Sequence, residues 1–253
     1  YSTDRQTWSE PVEFEWAKDG STKTFKFNGN PTARYICMHI SAAAGNFGSG
    51  RELYVFKVAG TESLYQGDIN HDKRIDENDL TSYMNYTGLR RGDSDFDYVS
   101  AGDINGNGLI DAYDISCVTT ELDGGVSNSN DKVSGSLTLK SDKNTYAAGD
   151  EINITVSGKD LHYVNGLSFA LPYNTDELEY LGTELKNMKD MVNLTYDRLH
   201  TSGEKALYPT FVNRGNNFLL EEGSHELFII KFKAKKAGKY SLKAKDGILV
   251  DRN

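Results

Sequence analysis

The stretches "GDINHDKRIDENDL", residues 67–80, and "GDINGNGLIDAYDI", residues 102–115, repeat one acidic pattern. Counted from Asp68 and from Asp103, oxygen-bearing side chains recur at loop positions 1, 3, 5, 9 and 12. With a backbone carbonyl at position 7, a loop of about a dozen residues with this spacing supplies the ligands that a hard divalent cation requires. The repeat therefore predicts two cation-binding loops.

Each loop offers a complete candidate ligand set, made of five side chains and the position 7 carbonyl. In the first loop these residues are Asp68, Asn70, Asp72, Arg74, Asp76 and Asp79. In the second loop they are Asp103, Asn105, Asn107, Leu109, Asp111 and Asp114. An all-oxygen cage on a flexible loop suits calcium better than magnesium. We therefore predict two calcium ions, and we expect this segment to fold only with calcium because the carboxylates repel one another without it.

The two loops differ in ways that oppose each other. The first has four ligand carboxylates and the second has three, and more ligand charge favours tighter binding. Lys73, however, occupies position 6 of the first loop, where glycine eases the turn. The sequence leaves open which loop binds more tightly.

Apolar residues at helical spacing follow each loop, as in Leu80, Tyr83 and Met84 after the first. This spacing predicts one amphipathic helix after each loop. Between the repeats, "SDFDYVSA" at 94–101 predicts a short connecting helix with Ser94 as its N-cap.

The segments on either side of the repeats have β patterns. Residues 1–58 alternate with period two and predict four or five short strands of a β-sandwich or barrel. That number is too small to close a sandwich, so we expect a further part of the module before Tyr1 or a partner surface. A polar linker follows the repeats, and nine short strands from about 134 to 253 predict a sandwich of two packed sheets.

Composition excludes several classes of function. The net charge is −9 and no basic cluster is interleaved with aromatic residues, which argues against nucleic acid as a partner. No apolar run reaches the length of a transmembrane helix. Cys37 and Cys117 lie in different predicted domains, so no disulfide is expected. The five histidines are scattered without a nucleophile motif, so no catalytic residue is predicted for this fragment.

The duplicated "GDINxDxxIDxxDL" and "GDINGNGxIDxxDI" patterns, each feeding only an exiting helix, resemble a type I dockerin module. The resemblance places a dockerin at 60–124. It implies that the two residues after the ninth loop position help to recognise the partner; here they are Glu77 and Asn78, and Ala112 and Tyr113. Since the two pairs differ, we expect one binding face.

The partner of a dockerin is a cohesin, a nine-stranded jelly-roll sandwich, and residues 134–253 resemble one. The resemblance lies in "VNGLSFALPYNTDELEYLG" and "HELFIIKFKAKKAGKYSLKAKDGILVD". It implies a cohesin-like module, joined to the dockerin by a linker at 125–133. The linker is short for folding one module back on the other. We therefore expect pairing with dockerin or cohesin modules of other chains, or a fixed packing in cis.

The opening segment, 1–59, resembles the C-terminal part of an F5/8 type C module, which includes family 32 carbohydrate-binding modules. The similarity lies in "YSTDRQTWSE" and "ARYICMHISAAAGNFGSGRELYVF". By this analogy Phe47 on the glycine-rich loop stacks on a sugar ring. The alternative is that Phe47 packs beneath its own loop.

Two functions are consistent with this mainly β organisation. The first is a non-catalytic ancillary and assembly region of a secreted, multimodular carbohydrate-active enzyme, such as a glycoside hydrolase, that binds glycan and other chains. The second is a rigid, calcium-stabilised spacer or adhesin stalk of a bacterial surface protein. In both cases we expect an extracellular location, with attachment to the cell surface through another part of the chain as one possibility.

Overall fold

The computed structural model describes residues 1–2, 5–16, 19, 23–25, 27, 33, 35–43, 66–124, 132–188, 191–215 and 219–251. The chain forms two compact units, Tyr1–Thr61 and Glu62–Asn253. Across the described ranges, no helix combines the length and the apolar character needed to cross a membrane.

The first unit is described only in part. Ser2 and Tyr35 form an isolated antiparallel bridge, with N–H to carbonyl distances of 2.8 and 2.9 Å. Phe14 stacks on Phe25 with ring centroids 4.3 Å apart. No continuous strand is assigned among the described residues of this unit, so the predicted sandwich at 1–59 stays a prediction. Cys37 is exposed, and no disulfide forms between the two cysteines.

In the second unit, residues 66–124 carry two α-helices, α1 (Glu77–Tyr86) and α2 (Ala112–Leu122). Both begin at a capping box in which the N-cap aspartate accepts backbone N–H bonds and the N3 aspartate accepts from the N-cap N–H. These aspartates are also loop positions 9 and 12. The same residues therefore start the helices and belong to the predicted ligand sets.

The predicted connecting helix is replaced by turns and one short 3-10 helix, Ser100–Gly102. Ser94 is not a helix N-cap here. Its backbone N–H donates to Thr201 Oγ1 at 3.0 Å, in the second half of the unit. The contact that the structure describes is made by the backbone N–H of Ser94, and not by the hydroxyl that was expected to cap a helix.

Residues 132–251 form a β-sandwich with antiparallel pairing throughout its described strand pairs. The first sheet has the strand order β1-β2-β9-β4, with β1 at Ser134–Ser141, β2 at Glu151–Val164, β9 at Leu219–Ala234 and β4 at Leu178–Leu185. The second has the order β5-β8-β3-β7-β6, and β10 pairs with β3. Its strands are β3 (Gly166–Pro172), β5 (Met191–Asn193), β6 (Tyr196–Leu199), β7 (Lys205–Tyr208), β8 (Thr210–Asn213) and β10 (Lys245–Val250).

The main core lies between the two sheets and includes Ile154, Leu167, Phe211, Phe228 and Phe232. Strand β3 is also buried on its other face, where Ser168 and Ala170 are almost inaccessible. A strand covered on both faces needs a second layer beyond the sheet. The helices of residues 66–124 supply that layer.

The mainly β prediction and the sandwich after the linker are confirmed, with local differences in strand boundaries. The predicted strand "KALYPTFVN" is divided at Pro209, which has no N–H to donate to a ladder. Most of the predicted strand "YSLKAKDG" lies outside regular structure, and its last residues belong to β10. The described part of the sandwich therefore has ten strand segments where nine were predicted.

Candidate functional site: two acidic loops and the interface between the modules

We call residues 66–124 the loop module, residues 132–251 the sandwich, residues 68–79 loop 1 and residues 103–114 loop 2. Loop 1 folds around the buried carboxylate of Asp68, whose two oxygens accept the N–H groups of Asp72 at 3.0 Å and Lys73 at 2.8 Å. Carboxylate oxygens of Asp68, Asp72 and Asp79 lie within 4.8 Å of one another. Burial raises the pKa of Asp79. Crowded acidic oxygens of this kind fit a hard cation.

Loop 2 has the same plan but leaves one acidic oxygen unsatisfied. Asp103 Oδ2 accepts the N–H of Gly108 at 2.9 Å, whereas Asp103 Oδ1 is buried and has no hydrogen-bond partner among the residues that the structure describes. Burial, with the charges of Asp111 and Asp103, raises the pKa of Asp114 to about 8. A bound cation satisfies an oxygen of this kind and offsets such repulsion. The donor set of loop 2 therefore fits the predicted ion.

Loop positions 3 and 5 have equivalent geometry in the two copies. The side-chain oxygens of Asn70, Asp72, Asn105 and Asn107 each accept the backbone N–H two residues further on, at 2.8 to 2.9 Å. Such bonds hold the loop backbone in tight turns. The carbonyls of Arg74 and Leu109 stay predicted ligands.

The loops differ in backbone strain at positions 4 and 6. Loop 2 places Gly106 and Gly108 there, with φ values of 71° and 86°. Loop 1 places His71 and Lys73 at these positions, with φ values of 63° and 71°. Positive φ is unfavourable for residues with a Cβ. The strain expected at Lys73 is therefore present, and His71 shares it.

The loop module and the sandwich share a hydrophobic core. Ile69, Leu80, Tyr83, Ile115 and Val118 from the loop module are buried in one cluster with residues of the sandwich. The sandwich residues buried in that cluster are Leu194, Val212 and Val250. Water is therefore excluded from the surface between the two modules, as it is between the layers of one domain.

Arg198 of β6 is buried and caps the C-terminal end of α1. Its Nε donates to the carbonyl of Thr87 at 2.9 Å, and its Nη2 donates to the carbonyl of Asn85 at 2.6 Å. The last turn of α1 has no basic residue of its own. The sandwich therefore supplies the positive charge that favours a helix C-terminus.

Asp93 forms a second polar contact across the interface. Its Oδ2 lies 2.8 Å from His200 Nδ1, and its Oδ1 accepts the backbone N–H of Thr201 at 2.9 Å. His200 Nε2 in turn lies 2.8 Å from the hydroxyl of Tyr208. Burial raises the pKa of Asp93, but hydrogen bonds from Arg90 N–H, His200 and Thr201 outweigh it, so the pKa is lowered.

Arg91, Gly92 and Asp93 form the tripeptide that integrins recognise in other proteins. Here, however, the Asp93 side chain is 5% exposed and contacts His200 and Thr201 of the sandwich. Neighbouring Arg90 donates to Glu204 at 2.7 Å and to Ser202 at 3.1 Å. This segment therefore serves the interface.

Helix α2 approaches β3 very closely at Gly166. A Cβ at Gly166 would lie 2.4 Å from Ser116 Oγ and 3.4 Å from Ala112 Cβ. The N–H of Ala112 donates to Ser168 Oγ at 3.2 Å. Glycine at 166 therefore permits contact between strand and helix.

Arg214 joins the sandwich to both repeats of the loop module. Its guanidinium makes a bidentate pair with Glu77, at 2.7 and 2.9 Å, and donates to Asp123 at 3.1 Å. The N–H of Gly215 also donates to Asp123. Glu77 starts α1 and Asp123 follows α2, so the two helix ends meet at one arginine.

The residues predicted for partner recognition lie in different environments. Glu77 and Ala112 contact the sandwich of the same chain through Arg214 and Ser168. Tyr113 is partly buried against the shared core, and Asn78 is exposed. Phe47, the predicted sugar-contacting residue, lies outside the described residues.

Sequence reasoning missed the sandwich side of this interface, which includes Arg198, His200 and Arg214. They are scattered over three places in the sequence without a shared pattern. A usable signal was the absence of a basic residue in the last turn of α1, because it leaves that helix end to be capped from elsewhere.

Comparison with protein families gives one match. Residues 66–123 match the dockerin type I domain family. No curated protein matches the chain.

Among solved structures, the chain is similar to cohesin modules, at low identity. The second type II cohesin module of the ScaA scaffoldin of Acetivibrio cellulolyticus is 15% identical, with a TM-score of 0.33, covering 41% of this chain and 66% of that one. For a non-cellulosomal cohesin of Archaeoglobus fulgidus the identity is 14% and the TM-score 0.35, with 46% and 78% covered. The cohesin module of a Clostridium perfringens family 33 glycoside hydrolase is 12% identical, with a TM-score of 0.32, and the match covers 47% of this chain and 98% of that one. Residues 66–123 of the chain thus match the dockerin type I domain family, and the chain is similar in structure to cohesin modules.

Proposed function

We propose that the loop module and the sandwich are a calcium-dependent recognition pair that closes within one chain. The core shared by helices α1 and α2 with strands β8 and β10 carries this proposal. Recognition of this kind requires a helix face that fits a sheet face. In this chain the helix face of the loop module packs against the sheet face of the sandwich. Of the expected arrangements, this is the fixed packing in cis.

In this proposal Glu77, Ala112 and Tyr113 serve as recognition residues, as the dockerin resemblance implies, and Asn78 stays free for contacts with another molecule. The two predicted ligand sets bind one calcium ion each. The ions stabilise the loops from which both helices start, because the residues at positions 9 and 12 also form the helix caps. Calcium therefore stabilises the surface that meets the sandwich.

The pairing is tested in the full chain by placing a protease site within residues 125–131 and cutting after folding. In calcium we expect the two pieces to elute together on gel filtration, and in EGTA we expect them to separate. Uncut chain under both conditions is the control. Separation of the pieces in saturating calcium would contradict the proposal.

A rigid spacer is the second candidate, and the extent of the shared core favours it. An assembly pair and a rigid spacer differ in whether the loop module of one chain exchanges with that of another chain. If the pair takes part in assembly, labelled cut chain mixed with unlabelled cut chain exchanges its loop module over time. If it is a spacer, no exchange occurs under conditions that keep the pair folded.

We further propose that the pair belongs to the non-catalytic ancillary region of a secreted carbohydrate-active enzyme. This part rests on the sequence of residues 1–59 and on its resemblance to F5/8 type C modules. Retardation of the full chain in gels that contain a soluble polysaccharide tests glycan binding, with Phe47→Ala as the variant and Phe56→Ala as a same-residue control. Equal retardation of both variants and the unaltered chain would remove Phe47 from the proposal.

A further inference from the structure

We infer that loop 2, and not loop 1, couples calcium to the pairing of the loop module with the sandwich. The inference rests on the proposed function, since it names which of the two loops regulates that pairing. It follows from an asymmetry in how the two copies of one sequence pattern meet the sandwich.

Loop 2 is itself part of the interface. Leu109, at position 7, packs against the buried cluster of Ala170, Ala206 and Tyr208 in strands β3 and β7. Ala112, at position 10, is fully buried and donates its N–H to Ser168. A change in the backbone between positions 7 and 10 therefore moves groups that contact the sandwich directly.

Loop 1 meets the sandwich much less closely. Arg74, at its position 7, is exposed. Glu77, at its position 10, reaches the sandwich only through Arg214, in a pair whose Glu77 side chain is 65% exposed. An exposed ion pair of this kind contributes little to stability. The stronger contact of α1 lies at its opposite end, where Arg198 binds the carbonyls of Asn85 and Thr87.

The carboxylates at position 1 show the same asymmetry. Both oxygens of Asp68 in loop 1 accept backbone N–H groups. In loop 2, Asp103 Oδ1 is buried without a partner, in a side chain that is 4% exposed. A buried carboxylate oxygen without a donor is costly unless a ligand satisfies it. The energetic need for a cation is therefore greater in the loop that contacts the sandwich.

Two matched variants separate the loops. Asp72→Ala and Asn107→Ala each remove an exposed position 5 side chain whose Oδ1 accepts one backbone N–H. Asp72→Ala also removes a ligand charge, which by itself favours the larger effect in loop 1, and Asn107→Ala also removes a hydrogen bond to Asp111. The test uses the full chain, cut within residues 125–131 after folding. The fraction of pieces that elute together is measured over a series of free calcium concentrations, and calorimetry counts the ions bound to each variant.

For Asn107→Ala we expect the calcium midpoint of pairing to rise by about tenfold or more. For Asp72→Ala we expect a rise below about threefold, because the polar contact described between loop 1 and the sandwich is the exposed Glu77 pair. Equal shifts, or a larger shift for Asp72→Ala, would overturn the inference. So would unaltered pieces that stay together in EGTA.

A separate result identifies failure of the proposed function. If the unaltered pieces do not pair in saturating calcium, the pairing itself is absent. If either variant fails to fold by circular dichroism, the position 3 variants Asn70→Ala and Asn105→Ala replace the pair, with the same expected order. These side chains also accept one backbone N–H each, at 2.9 Å.

Discussion

Arg198 Nε donates to the carbonyl of Thr87 at 2.9 Å, so a buried arginine of the sandwich ends a helix of the loop module. The arrangement is one-sided, because the acceptors are backbone carbonyls and no carboxylate bonded to this guanidinium appears in the described structure. Arg198 lies against the end of α1 and over the ring of Tyr196, 4.4 Å from its centroid, and it supplies the positive group that the last turn of α1 lacks. This contact couples α1 to the sandwich.

Replacement of Arg198 tests this dependence. We expect Arg198→Ala to lower the free energy of unfolding in calcium by about 2 to 3 kcal/mol, because two charge-assisted hydrogen bonds are lost and the buried carbonyl of Thr87 is left without this donor. Arg198→Lys keeps the charge but not the forked geometry, and we expect an intermediate loss. Urea unfolding provides the measurement. Equal stability of the alanine variant and the unaltered chain would contradict the account.

Crowding at Gly166 tests the close approach of α2 to β3. We expect Gly166→Val to destabilise the chain by about 1 to 3 kcal/mol and to weaken pairing in the cut chain, because the new side chain would overlap Ser116 and Ala112. Gly238→Val is the control, since a Cβ there would meet nothing closer than 3.8 Å. Thermal unfolding measures both variants. An equal fall in their midpoint temperatures would show that replacing a glycine by valine, and not crowding at the interface, causes the effect.

The pH dependence of Asp93 provides a third test. Its folded-state pKa is lowered, so its contribution to stability is present above its unfolded pKa of about 4 and is lost as pH falls through the lower folded value. We therefore expect Asp93→Asn to be less stable than the unaltered chain at neutral pH. The difference should shrink as pH falls from about 4 to 2. Urea midpoints at several pH values measure it, and a constant difference would count against this role.

Backbone strain at Lys73 provides a fourth test. We expect Lys73→Gly to raise the calcium affinity of loop 1 by relieving about 1 kcal/mol of strain at a positive φ. Lys73→Ala removes the same side chain but keeps the Cβ, so we expect little gain from it. Calcium calorimetry on the full chain measures both. A similar gain in the two variants would assign the effect to the lysine charge.

The loop module was predictable from the sequence because its signals are local. The spacing of Asp68, Asp76 and Asp79, repeated from Asp103, specifies both the loop and the start of the following helix. The same local reasoning failed at Ser94, where a contact with Thr201 replaced the expected N-cap. Local patterns predict an element well unless residues remote in sequence form hydrogen bonds with its backbone, as Thr201 does with Ser94.

The interface was not predictable from the sequence because its residues carry no periodic signal. The sequence predicts β3 as one strand of a two-sheet sandwich, yet Ser168 and Ala170 are buried on the face that meets the loop module. His200 and Arg198 read as ordinary residues near the end of a strand. Their roles depend on Asp93 and Thr87, more than a hundred positions away.

Amide hydrogen exchange at Thr201 and Gly215 tests the central claim most directly. Both N–H groups belong to the sandwich, and they donate to Asp93 and Asp123 of the loop module. If calcium holds the two modules together, both amides are protected in calcium and exchange at the rate of open loops in EGTA. Amides paired within the sandwich core, such as that of Ala234 with Asp150, serve as the control. Equal exchange at Thr201 and Gly215 with and without calcium would contradict the account.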